Sequence, residues 1–359
     1  MTESIDADIK AETERALDSE LMLAAGRHPL ASSVERAMFE RCGIDSDSTL
    51  LVGCSGGADS AALAVLIATL AARRDSTLNP PILLHVDHGL RAGSSSESVS
   101  VAGLASRIGI PFHSVRLELD KRRSDLSATA RRARYAAMHD VAVRSGVTHV
   151  ACAHHADDRF ETMIHGLCRG VGVDALSNPR WQRPMGDVTL IRPALGLSRH
   201  DLRTFCIDLG IDFFDDPTNS DVDTMRGGLR ESVLPHLESR WPGASRRVSA
   251  AMDRMTVAAG SLDREIAAVL STASADRLDL SVFVVDDRGF ISAVLRKWIL
   301  DFAESRNVDV SDQITASFFD DVARGVCDEE RRPRTYECAG MLEVHLDVRS
   351  LAIILKHPG

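Results

Sequence analysis

The residues with the sharpest chemical spacing are Gly53-Cys54-Ser55-Gly56-Gly57-Ala58-Asp59-Ser60, set before a helix-compatible run over 61–72. Glycines let a backbone turn tightly and approach an anion, while amide hydrogens and the positive end of a following helix attract phosphate. This is not a Walker loop, because G-x-x-x-x-G-K-[ST] ends in lysine and none occurs between residues 53 and 72. Asp59 stands in place of that cation. A carboxylate facing polyphosphate requires a bridging divalent cation, so Ser55, Gly56, Gly57, Ala58, Asp59 and Ser60 are expected to hold ATP with Mg²⁺ at Asp59. The alternative is a glycine-rich turn with a capping serine or aspartate.

Four further segments could do chemistry. In His85-Val86-Asp87-His88-Gly89-Leu90-Arg91, either His88 or Asp87 faces a nucleotide, or the histidine is a structural residue at a strand end. Ala128-Thr129-Ala130-Arg131-Arg132-Ala133-Arg134-Tyr135 reads as a helix with a solvated basic surface, from which Arg134 is singled out because a planar guanidinium suits phosphate. Ala153-His154-His155-Ala156-Asp157-Asp158-Arg159-Phe160-Glu161-Thr162 sets two histidines beside two carboxylates. Adjacent residues on a helix do not share a face, so the four are not expected to converge on one metal ion. One of Asp157 and Asp158 is expected to cap the helix, leaving the other for catalysis. Asp216-Pro217-Thr218-Asn219-Ser220 is a polar loop, followed by Arg226-Gly227-Gly228-Leu229-Arg230, whose two arginines lie four apart on one helix face.

Something must gather these segments. Between residues 50 and 153 short apolar runs alternate with longer helical ones, the pattern of βαβ units and a parallel twisted α/β sheet with helices on both faces. Strands are expected over 49–53, 82–86, 112–117 and 147–153, with a further short piece over 189–191 and a helix from Ser198. Right-handed crossovers would bring the loops after these strands to one edge, where open sheets of this Rossmann-like kind bind ligands. Beyond Pro235 the spacing turns helical at Leu262, Ile266 and Leu270. Ile291, Val294, Leu295, Trp298, Ile299 and Phe302 form an apolar stripe that reads as core. Residues 341–348 and 351–355 look like terminal strands. The expected organisation is an acidic, solvated and partly helical leader over 1–30, a catalytic domain over 31–235, and a smaller mostly helical domain with terminal strands over 236–359.

Bulk composition is that of an ordinary globular enzyme. The 359 residues are 44% hydrophobic and 26% charged, and no apolar run approaches the roughly 20 residues of a membrane helix. The first residues lack the basic and apolar stretches of a secretory signal, so a cytoplasmic location is expected. Seven scattered cysteines, with no C-x-x-C pair, disfavour a disulfide framework or a zinc knuckle. A net charge of −10 argues against indiscriminate polyanion binding but permits a local basic surface. Candidates for such a surface are Lys121-Arg122-Arg123, Arg246-Arg247 and Arg331-Arg332-Pro333-Arg334.

Taken in order, these motifs resemble the tRNA(Ile)-lysidine synthetases, a branch of the N-type ATP pyrophosphatases with an adenine nucleotide alpha hydrolase-like fold. The likeness covers residues 31–240, and the remainder is loosely similar to the family's smaller tRNA-binding domain. The resemblance implies that ATP adenylates the cytosine carbonyl of a wobble cytidine in an isoleucine tRNA. Free L-lysine then displaces AMP. It also implies catalytic roles for Asp59, Asp158 (holding the lysine amine), His154 (beside the base) and Arg134, with Arg226 and Arg230 as tRNA or phosphate contacts. Two positions depart from the family: Arg159 stands where glutamine is usual, altering charge beside the site, and Gly227 where asparagine is usual. A tRNA sulfur-transfer enzyme of the same superfamily, a small-molecule amide synthetase and a non-catalytic tRNA- or ATP-binding descendant are the competing readings. The first would need cysteine chemistry, with Cys168 or Cys206 as a lone nucleophile.

Overall fold

In the computed structural model, which describes residues 17–87, 89, 94–117, 126–215, 224–283, 287–306, 308, 314–328, 330–338 and 342–355, the expected strands form as β1 (Leu50–Gly53), β2 (Ile82–Asp87), β3 (Phe112–Arg116) and β4 (His149–Ala151). Two more, β5 (Gln182–Met185) and β6 (Val188–Ile191), complete a six-stranded sheet of order β3-β2-β1-β4-β6-β5, parallel except for the antiparallel edge strand β5. Period-two alternation sorts the strand side chains between two cores. Leu50, Val52, Leu83 and Ile191 point to one face, with α1 (Ser19–Arg27), α2 (Pro29–Glu40), α3 (Ala58–Ala71), α4 (Ser94–Arg107) and α8 (Arg199–Asp208). Leu51, Leu84, Val150 and Leu190 point to the other, against α5 (Leu126–Arg144). Helix α3 is buried nearly all round, which suits its continuous Ala, Leu, Val and Ile content.

The leader is shorter than expected. Asp18 accepts a hydrogen bond from the Leu21 amide at 3.0 Å, capping α1, and pairs with Arg107 at 3.1 Å, while Leu21, Met22 and Ala25 enter the core. Those apolar residues make the segment from Ser19 onward part of the sheet domain rather than a solvated tail. Residues 1–16 lie outside the described residues.

The chain divides into two compact units, one of residues 1–165 with 177–253 and one of 166–176 with 254–359, so the boundary falls at 253 rather than 235. The reason is packing. After β4 come α6 (Ala156–Cys168) and α7 (Val173–Leu176); later, α9 (Met225–Gly228) continues through a π-helical turn, Leu229–Val233, into α10 (Leu234–Arg240) and then α11 (Ala244–Leu270). Leu234, Leu237, Ala244 and Val248 pack on Phe160 and Ile164 of α6, tying the start of α11 to the first unit.

The second unit has helices α12 (Arg288–Ser305) and α13 (Ala316–Val326) and an antiparallel sheet of order β7-β10-β9-β8. Its strands are β7 (Arg277–Asp279), β8 (Arg334–Cys338), β9 (Leu342–Leu346) and β10 (Ser350–Leu355). The expected apolar stripe of α12 is buried in this core. Two strands, β7 and β8, join the two expected near the end of the sequence. No helix among the described residues is long and apolar enough to cross a membrane.

Candidate functional site

Strands β1 and β4 are neighbours in the sheet, so the loops after them open side by side at its carboxyl edge. Between them lies a cavity of about 770 Å³. Its floor is the loop from Gly53 to Ser60. Gly56 has φ +86°, a conformation that favours glycine, and Gly57 precedes the first turn of α3. Ser60 organises the turn: its hydroxyl accepts the Ser55 amide at 3.1 Å and donates to the Gly57 carbonyl at 2.9 Å. The Ser55 hydroxyl lies 3.2 Å from that of Ser60, so serine at both positions closes the loop on itself and leaves α3's amide end facing the cavity. His85, buried on β2, bridges to the Cys54 carbonyl through Nδ1 at 2.9 Å.

The expected site residues gather here. Ser55, Gly57, Asp59, Ser60, Arg134, His154, Asp158 and Arg230 all line the cavity. The side chain of Arg226, the loop 216–219, His88 and Arg91 lie outside the described residues. So does Lys121-Arg122-Arg123. Of the other basic runs, Arg246 pairs with Asp201 at 3.4 Å and Arg334 with Asp328 at 2.8 Å.

His155, weighed in the sequence only as one of two histidines beside two carboxylates, is the hub of the acidic end. It is buried, with Nε2 3.5 Å from Asp59 Oδ2 and 3.6 Å from Asp158 Oδ2, and Nδ1 3.5 Å from Asp157 Oδ2. Burial works against its protonation, but the carboxylates of Asp158, Asp157 and Asp59 outweigh it and hold the imidazolium well above the ordinary histidine pKa. Reciprocally, burial raises the Asp158 carboxyl, yet the His155 imidazolium, the His155 amide and Arg230 bring it below the usual aspartate value. His154 is the opposite case. Burial pushes it down to about 3, helped by Arg192, Arg131 and Arg134 against Asp158, so it is neutral at physiological pH. Burial raises Glu161 above the ordinary glutamate value even though its Oε1 accepts Arg230 Nε at 2.8 Å.

The division of labour between the two aspartates differs from the expected one. Asp158 Oδ2 accepts the His155 amide at 3.0 Å and so caps its own helix, keeping Oδ1 beside Arg230 Nη2 at 3.8 Å. Asp157 is tied elsewhere, accepting the Arg199 amide at the start of α8 at 2.8 Å. The carboxylate that caps α6 and the one left facing the cavity are thus the same residue.

Arg159 is also placed differently from the charge expected beside the site. It is fully buried, donating to Pro179 O at 2.9 Å, Ser249 O at 2.9 Å, Ser249 Oγ at 3.0 Å and Asp253 Oδ1 at 2.7 Å. Trp181 Nε1 donates to the same Asp253 oxygen at 2.8 Å. The arginine is a clasp between α6 and the start of α11. Arg159→Gln, which restores the family's usual residue, is expected to lower stability by about 3 kcal/mol because it leaves Asp253 without its charge partner. Urea unfolding measures this, and an unchanged midpoint would show that the clasp contributes nothing.

For a metal, Asp59 is the fitting donor. Its Oδ1 is buried without a hydrogen-bond partner, and no cluster of three or more His, Cys, Asp or Glu suited to a metal occurs among the described residues. That combination suits Mg²⁺, which commonly takes one or two carboxylates together with substrate phosphates and water. Thiol chemistry fits poorly. Burial raises Cys54 and Cys152 on the cavity wall, and Cys206, which donates to the Ala58 carbonyl, is pushed up to about 12. Cys168 is exposed at the last residue of α6.

Residues 29–237 match the PP-loop domain family. A tRNA(Ile)-lysidine synthase of Salinispora arenicola is 38% identical over 189 residues, 52% of this chain and 56% of that protein. The enzymes of the same name from Salinispora tropica and Novosphingobium aromaticivorans are 36% and 37% identical, with 64% and 63% of their own lengths covered. The chain thus spans somewhat over half the length of these relatives. A solved U34-tRNA thiolase from Methanococcus maripaludis superposes with a TM-score of 0.54 at 16% identity, over 63% of this chain and 78% of that one, a likeness of fold.

Proposed function

We propose, from the premise that this chain belongs to the PP-loop domain family, that it ligates free lysine onto the wobble cytidine of the isoleucine tRNA with anticodon CAU, converting ATP to AMP and pyrophosphate. The observation that carries this reading is the joining, in one cavity, of the Ser55–Ser60 phosphate loop to a carboxylate cluster able to receive an amine. The names of the similar enzymes agree with it.

The first step needs the triphosphate held and its leaving group stabilised. The Gly57 amide and the amide end of α3 bind the pyrophosphate portion, and Arg134 supplies positive charge as it departs. Mg²⁺ at Asp59 would supply charge neutralisation on the phosphates. The cytosine carbonyl oxygen attacks the α-phosphorus, and neutral His154 offers hydrogen bonding to the base without adding a like charge beside the arginines.

In the second step the lysine ammonium binds at Asp158 and loses a proton there, freeing the nitrogen lone pair to attack the activated ring carbon. AMP leaves. Arg230, braced by Glu161, lies close enough to Asp158 to orient it, and to meet the departing phosphate. His155 holds Asp59 and Asp158 in fixed relation, linking the two half-sites.

The test is incubation of purified protein with Mg²⁺, ATP, labelled lysine and a transcript of the CAU-anticodon tRNA. Label is expected in the RNA, and none in a transcript with a different wobble base. Incorporation of sulfur from a sulfur donor instead, or AMP release that ignores lysine, would overturn the reading.

A further inference from the structure

Beside Arg134, which serves the pyrophosphate, the cavity carries three further arginines, a cationic wall that the phosphate loop does not account for. Arg131 and Arg134 of α5 and Arg183 of β5 set their guanidiniums 5.1, 5.5 and 5.0 Å from the centre of the Tyr135 ring. Arg192, after β6, is buried beside them and donates to the Arg180 carbonyl at 2.7 Å. All four arginines line the cavity; Tyr135 itself does not.

None of the four makes an ion pair with a carboxylate among the described residues, and Nε of both Arg134 and Arg192 is buried without a hydrogen-bond partner. The acidic end, by contrast, carries its own cations in His155 and Arg230. Four like charges gathered without a carboxylate repel one another, and the aromatic face offsets only part of that. An anion is what this wall lacks.

The sheet order separates its far end from the triphosphate. In the order β1-β4-β6-β5, Arg192 and Arg183 lie two and three strands from the loop after β1, roughly 10 and 14 Å at about 4.8 Å per strand. Arg131 is exposed and Arg183 stands on the edge strand, so this end of the wall is open to solvent, with Arg192 buried behind it. A nucleotide bound at the Ser55–Ser60 loop does not need cations so far along the sheet edge. A polynucleotide whose target base enters the cavity beside His154 does, because its flanking phosphodiesters remain outside.

From this geometry we infer that Arg131, Arg183 and Arg192, ordered on or beside the Tyr135 ring, form a binding subsite for the phosphodiester backbone flanking the target base, separate from the pyrophosphate loop. Tyr135 is a positioning residue, acting through its ring on Arg131 and Arg183. The inference rests on the proposed RNA substrate.

The experiment measures binding of the CAU-anticodon tRNA transcript against salt concentration, and binding of ATP alone, for wild type, Arg183→Ala, Tyr135→Leu and Tyr135→Phe. Loss of one phosphate contact is expected to flatten the slope of log affinity on log salt by about 0.7 to 0.9. Arg183→Ala should do this and weaken RNA binding roughly tenfold at moderate salt, with ATP affinity within about twofold of wild type. Tyr135→Leu should flatten the slope at least as much, and Tyr135→Phe should restore it. An unchanged slope for Arg183→Ala overturns the inference whatever the tyrosine variants do. So does a loss confined to ATP affinity, which would assign the wall to the triphosphate. If wild type takes up no labelled lysine but Arg183→Ala still flattens the slope, the proposed reaction fails and the wall stands.

Discussion

Asp59→Ala is expected to reduce pyrophosphate release from ATP by about 10³-fold, the scale on which a preorganised electrostatic contribution is lost. Asp59 sits in the first turn of α3, with one oxygen orphaned and buried and the other beside His155. Removing it takes away the carboxylate that fits Mg²⁺ and leaves the buried imidazolium of His155 with fewer anions around it. Both half-reactions then suffer, because lysine transfer waits on adenylation. Single-turnover release of pyrophosphate, measured without lysine, isolates the first step. Release at more than a tenth of the wild-type rate would remove Asp59 from its assigned place.

Asp158→Asn is expected to act on the other half. Asparagine keeps an oxygen able to accept the His155 amide, so the helix cap survives while the charge that receives the ammonium is lost. Lysine transfer should fall by roughly 10² to 10⁴-fold, the range for a positioned general base, while lysine-independent pyrophosphate release falls by no more than about tenfold. Parallel single-turnover assays of the two steps give the ratio directly. Equal losses in both would mean that Asp158 serves the fold of the loop rather than the amine.

The parallel sheet was legible because each central strand is a short apolar run ending in a polar or glycine loop, and a sheet covered on both faces leaves no other use for such runs. The edge strand β5 was not. Gln182-Arg183-Pro184-Met185 buries only Met185 and contains a proline that an edge strand tolerates, so neither periodicity nor propensity marks it. That blind spot hid Arg183, and with it the cationic wall. Arg192, which follows the short strand over 189–191 and precedes a proline, belongs to none of the motifs. The burial of helix α1, within a leader expected to be partly helical but solvated, was masked by its acidic neighbours, although Leu21, Met22 and Ala25 have helical spacing.

Within the site, motif order pointed to the loop, Asp158 and His154 but not to what they do to one another. His155 was passed over because neighbouring helical residues diverge, and the carboxylates that meet it come from two helices, α3 and α6. Arg159 shows the same rule working the other way. One residue along a helix is a turn of about 100°, which carries Arg159 from the cavity occupied by Asp158 into the packing of Ser249 and Asp253. A departure from family sequence thus looked like a change of active-site charge and is a change of scaffold.

The most direct measurement of the central claim, that ATP activates the base carbonyl, follows one oxygen atom. A CAU-anticodon tRNA carrying ¹⁸O at position 2 of the wobble cytosine, turned over with ATP and lysine, should yield AMP containing that ¹⁸O, because the carbonyl oxygen leaves on the phosphate when the amine attacks. AMP without the label, with ¹⁸O retained in the lysine-bearing RNA, would contradict the account and place the adenylate on another group.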